Sequence, residues 1–169
     1  MSTTTIPLTT GFGHLLGARQ LAGVVRQVAG SQADWLTRVR LNPAGRWYEQ
    51  LHLDGSHEVW LISWLPGQET GFHDHGGAAG AFTVVLGTLM ESRVLGSSAA
   101  GQVLAKPIGA GGTRAFGPRY IHNVRNSAAS SVAVSVHAYS PPLSAMTRYE
   151  LTETGLVKLA TEAATAWAA

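Results

Sequence analysis

From Arg46 to Tyr139 the apolar side chains recur with a period of two, in short runs separated by Gly, Ser and Pro. Successive side chains of a strand point to opposite faces, so this pattern dictates half-buried strands rather than helices. Trp47 to Leu53 is the first strand, Asp54-Gly55 turns it, and Glu58 to Leu65 returns. A strand beginning at His73 to His75 follows, its apolar run continuing from Ala81 to Leu86. Then come Leu89 to Leu95, Gln102 to Ile108, Thr113 to Phe116, His122 to Asn126 and Ser131 to Tyr139, and Arg148 to Leu151 adds one more. Short antiparallel strands at this spacing close into a barrel or a two-sheet jelly roll, so the fold class is all-β.

Helices flank the barrel. Leu15, Leu16, Leu21, Val24, Val25 and Val28 recur at spacings of three and four, which predicts an amphipathic helix from Gly13 to Val28. Ser31 caps a second helix from Ala33 to Leu41 with Trp35, Leu36 and Val39 inward, and Asn42-Pro43 ends it. The helical piece thus spans about 11–42 and the barrel about 46–151. The Ala-rich stretch from Leu156 to Trp167 predicts a short C-terminal helix, and the Thr-rich first ten residues are a loose start or a short edge. One domain accounts for all 169 residues.

Within this frame the stretch from Trp60 to Gly87 carries the chemistry. His73 and His75 are two apart, so on a strand both imidazoles face one side while Asp74 faces the other. Neutral imidazole is the commonest transition-metal ligand, and a pair supplies half or more of a coordination shell. A third ligand is needed, and His122 and His137 both lie on expected strands. Cysteine is absent, which excludes disulfides and thiolate metal sites and leaves His and carboxylate as the strong ligands. The glycines and alanines from Gly76 to Gly80 either leave room above a metal or form a tight barrel corner. His14 near the first helix is expected at the surface without a role, and His52 and His57, which flank the first turn, are expected to be exposed. Twelve Lys and Arg against ten Asp and Glu, with no basic run, exclude a nucleic-acid partner. No segment is apolar enough to span a bilayer and no leader opens the chain, which implies a soluble cytoplasmic protein, monomeric or a small homo-oligomer.

Gly67 followed by His73 and His75 and closing at Gly87, together with Ile121-His122-Asn123-Val124-Arg125-Asn126, resembles the two sequence motifs of cupins. The carboxylate ligand usual in other cupins would fall at Gly80. That departure is similar to the cysteine dioxygenase branch of thiol dioxygenases, in which three histidines hold the metal. Ser135-Val136-His137-Ala138-Tyr139-Ser140-Pro141-Pro142 resembles a third segment of that branch. On a strand its Ser135, His137 and Tyr139 share one face and can form a hydrogen-bonded row. The resemblance covers Trp47 to Pro142. It implies a cupin double-stranded β-helix holding Fe(II), or another divalent metal such as Ni or Mn, through His73, His75 and His122. It implies oxidation of a small thiol by O2 to a sulfinate, with Tyr139 oriented by His137 and Ser135, and with Trp64 and Phe72 walling the pocket. In the animal enzymes a cysteine at the position of Gly80 crosslinks to the tyrosine, a link this chain cannot form.

Two departures bear on the substrate. Arg119 stands where the second motif carries glycine, and Gln50 falls where cysteine-specific relatives hold the substrate carboxylate with arginine. Gln50 is similar to bacterial enzymes that favour thiol acids such as 3-mercaptopropionate. Glutamine cannot neutralise a carboxylate, so a cation is expected from elsewhere, and Arg119 is the candidate. No acidic side chain is placed to meet the amino group of cysteine, which favours the thiol acid. Two other readings are a biosynthetic cupin that carries an amino thiol to a different product, and a non-catalytic cupin that binds a metal or small ligand. The Ser135-His137-Tyr139 row argues against the last.

Overall fold

The strands that read as nearly unbroken apolar runs are those covered on both faces. The computed structural model describes residues 14–95, 102–129 and 131–163. The Thr-rich start, the glycines of 96–101 and the end of the Ala-rich tail lie outside the described residues. Eleven strands follow the helical piece among the described residues: β1 (Trp47–Leu53), β2 (Glu58–Trp64), β3 (Phe72–His73), β4 (Ala79–Leu86), β5 (Thr88–Leu95), β6 (Gln102–Gly109), β7 (Thr113–Phe116), β8 (Asn123–Arg125), β9 (Ala133–Ser140), β10 (Ala145–Thr152) and β11 (Gly155–Ala163).

One wall of the barrel is a five-stranded sheet in the order β1-β2-β9-β4-β7. The opposite wall is two three-stranded sheets, β11-β10-β3 and β6-β5-β8. A bridge between His73 and His122 links them, each backbone N–H donating to the other's carbonyl, at 3.0 and 3.2 Å. Along β9, Val134, Val136 and Ala138 point outward under helix α1 (Ala18–Gly30) and meet its Leu21, Ala22 and Val25. The alternate residues, with Ile62 and Trp64 of β2, Phe82, Val84, Leu89 and Phe116, turn inward. Covering the sheet with α1 buries both faces of β2 and β9, and burial of each such side chain stabilises by about 1.5–3 kcal/mol. No helix among the described residues is long and apolar enough to cross a membrane.

The all-β barrel agrees with the period-two pattern; three local expectations do not. The second helix is a single turn, α2 (Gln32–Trp35), followed by a 3₁₀ turn Leu36–Arg38. Trp35 is buried and its indole donates to the Ala29 carbonyl, but Leu36 is 55% exposed. Once Trp35 is seated, nothing covers a further helical turn, and β-branched Thr37 and Val39 give it little propensity of their own. The C-terminal helix is instead strand β11, paired with β10 from Thr152–Gly155 at the turn to Ala145–Ala163. Gly155 at φ +113° lets the chain reverse, and Thr152 Oγ1 donates to the Gly155 carbonyl at 2.9 Å. Ladder pairing along β10 overrides the helical propensity of alanine. Finally, β3 is two residues long, so His75 lies beyond the strand rather than in it. Gly76 and Gly77 follow at φ +59° and +90°, and a Cβ on Gly76 would strike the Ala145 carbonyl. These small residues form a tight corner.

Candidate metal centre

Three histidines meet inside the barrel by three different local devices. His73 pairs with Arg148 of β10 and, on its other side, with His122. Residues directly opposed across such a bridge present their side chains on the same face, so the two imidazoles lie together. His75 is brought in by Asp74, whose side chain is turned to β10. Its Oδ1 accepts from the Thr147 and Gly76 amides and its Oδ2 from the Tyr149 hydroxyl. The three ring centroids are 4.8–5.1 Å apart and one nitrogen of each lies within 4.8 Å of the others. All three residues are buried.

The hydrogen bonds assign the tautomers. His73 Nδ1 is 3.0 Å from the Gly71 carbonyl, which can only accept, so Nδ1 carries the proton and Nε2 the lone pair. His122 Nδ1 is 3.0 Å from Glu91 Oε1, with the same consequence. Glu91 also accepts from Arg114 Nε at 2.8 Å and Tyr120 hydroxyl at 2.9 Å. These partners hold its carboxyl below the ordinary value against the opposing effect of burial. Neither ring nitrogen of His75 has a hydrogen-bond partner, although the residue is 1% exposed. A buried imidazole left this way costs free energy that a divalent cation would recover, and the donor set of three neutral imidazoles suits Fe(II), Zn(II) or Ni(II). His137 is not available as a ligand: its Nε2 is 2.8 Å from Ser135 Oγ and its Nδ1 is 3.2 Å from the Tyr139 hydroxyl. Of the two candidates for a third ligand, geometry therefore selects His122.

Gly80 faces Tyr139 across the β4–β9 ladder, and a Cβ there would come within 2.5 Å of the Phe116 ring and 3.0 Å of Tyr139. The space that a carboxylate or a cysteine would need is filled by Phe116. On β9, Ser135, His137 and Tyr139 form the expected single-face row, which Trp64 extends by donating its indole N–H to Ser135 Oγ at 2.9 Å.

Beside these histidines lies a cavity of about 70 Å³. Trp64, His73, His122, His137 and Tyr139 line it; Gln50, Arg119 and Phe72 are not among its lining residues. Arg119 is exposed in the turn before His122. Gln50 is exposed on β1 and donates to Glu58 Oε2 at 3.2 Å. The cations that face the cavity are Arg46 and Arg148. Arg46 lies over Tyr48 and Trp64, 5.1 and 5.2 Å from the ring centroids, and has no carboxylate partner among the described residues. Arg148 donates to the Thr70 carbonyl at 2.8 Å and to Glu162 at 3.2 Å. An acidic side chain is present after all: Glu58 lines the cavity, buried, accepting from the Leu143 amide at 2.9 Å. Burial pushes its carboxyl up towards the neutral form.

Sequence reasoning missed Glu58, Glu91, Arg46 and Arg148. Alternation held the signal for two of them. Glu58 is in phase with Trp60, Ile62 and Trp64, and Glu91 with Leu89, so a charge falls on an inward face.

Burial lowers the pKa of His73, His75, His122 and His137, that of His75 to about 3, and the like charge of neighbouring imidazoles adds to it for each except His122. A folded pKa below the unfolded value means that the unfolded chain binds more protons, so stability is complete above about pH 6.5 and falls on acidification. The metal-free protein is expected to lose up to about 1.4 kcal/mol per histidine per pH unit below that point. Thermal unfolding at pH 7, 6 and 5 measures it; a constant Tm across that range would show that these histidines are not held neutral.

Solved structures of similar fold agree with this architecture. One from Klebsiella pneumoniae, described as an uncharacterized conserved protein with a double-stranded β-helix domain, is 18% identical with a TM-score of 0.53, covering 73% of this chain and 92% of that one. An RmlC-like cupin from Desulfovibrio desulfuricans is 18% identical at TM-score 0.52, covering 65% and 95%. A cupin superfamily protein from Desulfitobacterium hafniense is 7% identical at TM-score 0.51, covering 63% and 87%. The sequence has no match among curated proteins. Residues 14–152, which hold the three histidines, the Ser135-His137-Tyr139 row and both cavity arginines, match the family described as cysteine dioxygenase type I, and the chain belongs to that family.

Proposed function

We propose that the protein is an Fe(II)-dependent thiol dioxygenase that oxidises a small carboxylate-bearing thiol, a thiol acid such as 3-mercaptopropionate or cysteine, to its sulfinate. The observation that carries this reading is the buried His73, His75 and His122 cluster, with its unpartnered His75, of which His73 and His122 line one cavity together with the hydrogen-bonded Tyr139. Iron held by these residues supplies the redox chemistry that joins O2 to a thiolate; both oxygen atoms enter the product, so no external reductant is needed. The residues of the chain bind, orient and exclude water. Ile62, Trp64, Val124 and Met146 give the cavity apolar walls. Arg46 and Arg148 lie close enough for Arg148 to lower the pKa of Arg46, after the larger effect of burial, and a carboxylate between them relieves that repulsion. Glu58 already accepts from the Gln50 side-chain amide on one oxygen and from the Leu143 amide on the other, so it is poorly placed to take up an ammonium group as well. The thiol acid is therefore the preferred substrate over cysteine.

The test is anaerobic loading with Fe(II) followed by oxygen uptake against a panel of thiols, with products identified. Thiol-dependent uptake with sulfinate formation is expected. A product other than sulfinate would favour the biosynthetic reading, and metal binding without uptake would favour a non-catalytic one. Arg46→Met and Arg148→Met should each raise KM for 3-mercaptopropionate about 10- to 100-fold, the equivalent of one hydrogen bond to a charged group, about 1.5–3 kcal/mol. Turnover of an uncharged thiol such as ethanethiol should stay unchanged in both; a parallel loss with ethanethiol would mean that the arginines support the fold and not the carboxylate.

A further inference from the structure

A second group of metal-ligating side chains stands at the tip of the β1–β2 hairpin and shares no residue with the buried centre. The turn is closed by the Asp54 amide donating to the His57 carbonyl at 3.1 Å. Asp54 Oδ1 accepts from the Ser56 amide and hydroxyl, both at 2.7 Å, and from the His57 amide at 2.9 Å. These donors, the His57 amide foremost, hold the carboxyl well below the usual carboxylate range. They also fix its direction, so that Oδ2 faces His52, whose Nε2 is 3.1 Å away. The His57 ring lies beside that of His52, with centroids 4.5 Å apart, and its Nδ1 is 2.8 Å from Ser56 Oγ and 3.4 Å from Asp54 Oδ1. One donor atom from each of the three residues lies within 4.8 Å of the others.

We propose that His52, Asp54 and His57 form a solvent-facing site for a divalent transition-metal ion of the zinc, nickel or copper type. Ligands at about 2.0–2.2 Å from one such ion sit roughly 3 Å from each other, so the carboxylate and His52 are already at bonding separation, and the His57 ring reaches the ion by rotating away from its contact with Ser56. Two imidazoles and one carboxylate select these ions over calcium and magnesium, which take oxygen ligands. His52 and Asp54 are each nearly half exposed, so entry is open and water completes the shell. The ion would clip a turn that is itself fastened to the segment after Tyr139: the Ser140 hydroxyl donates to the Ser56 carbonyl, and the Leu143 amide to Glu58. Binding therefore stiffens the cavity rim and raises thermal stability.

The experiment is titration of the 169-residue chain with Zn²⁺ alone, read by calorimetry, with circular dichroism of every variant. Two ions per chain are expected for the unsubstituted protein, one for His52→Ala, one for His122→Ala and none for the variant carrying both. Asp54→Asn keeps an oxygen to accept the turn's hydrogen bonds but removes the charge, and should weaken the second ion at least about tenfold with the fold intact. Oxygen uptake by the iron-loaded His52→Ala protein should be unchanged. A single ion on the unsubstituted protein, or two ions persisting in His52→Ala and His57→Ala, would overturn the proposal.

Discussion

His122→Ala is expected to abolish stoichiometric iron binding, with all thiol-dependent oxygen uptake lost as a consequence. The remaining His73 and His75 are held by their own contacts, the Gly71 carbonyl and the Asp74 turn, so the variant removes one ligand without releasing the other two. The backbone bridge between residues 73 and 122 does not depend on the imidazole and should survive, keeping the barrel seam closed. Loss of a hydrogen-bond partner behind a metal ligand costs metal affinity about 10- to 100-fold, and loss of the ligand itself should exceed that. Glu91 is left buried without His122 but keeps Arg114 and Tyr120, so the charge remains paired and the fold is preserved. Elemental analysis gives iron per chain, and circular dichroism separates a lost site from a lost fold. Full iron occupancy in this variant would exclude His122 as a ligand.

The barrel was legible because its strands alternate cleanly and glycine or proline punctuates them; ten of the eleven strands coincide with sequence runs to within a few residues. The eleventh was not, because Leu156 to Ala163 has the composition of a helix and becomes a strand only by pairing with β10. The cluster of His73, His75 and His122 was legible for a reason partly different from the one their spacing suggests. His73 and His75 converge through a two-residue strand and a glycine corner, not through one strand face. The choice of His122 over His137 is a matter of hydrogen-bond occupancy: spacing leaves both open, and the resemblance to a family chose between them. The cavity cations were not legible, since Arg46 and Arg148 are 102 positions apart and meet only when β10 crosses beside β3. Gln50 and Arg119 were chosen by motif position and by proximity in sequence, and neither measure carries information about which face of the barrel a side chain reaches.

Tyr139→Phe is expected to retain iron and to cut turnover about 10- to 1000-fold, the range of hydrogen-bonding and general acid-base contributions. The row Trp64, Ser135, His137 and Tyr139 is directional at one end, because the indole N–H can only donate to Ser135. Ser135 then either gives its own proton to His137 Nε2 or accepts a second one from it. In the first arrangement His137 carries its proton on Nδ1 and donates to the Tyr139 oxygen, leaving the phenol O–H free to donate to whatever occupies the cavity. In the second, Tyr139 donates to His137 and presents only lone pairs. Burial raises the pKa of the phenol, so it remains a protonated donor at neutral pH. The Tyr139→Phe substitution keeps the ring that stacks against His75, 5.3 Å between centroids, and removes only the hydroxyl. KM for the thiol should therefore change less than kcat, because the carboxylate is held elsewhere. His137→Gln, which breaks the row but keeps the hydroxyl, should fall between Tyr139→Phe and the unsubstituted enzyme if the row acts by setting the direction of the phenol proton. Equal turnover in Tyr139→Phe and the unsubstituted enzyme would reduce the row to a packing element of β9.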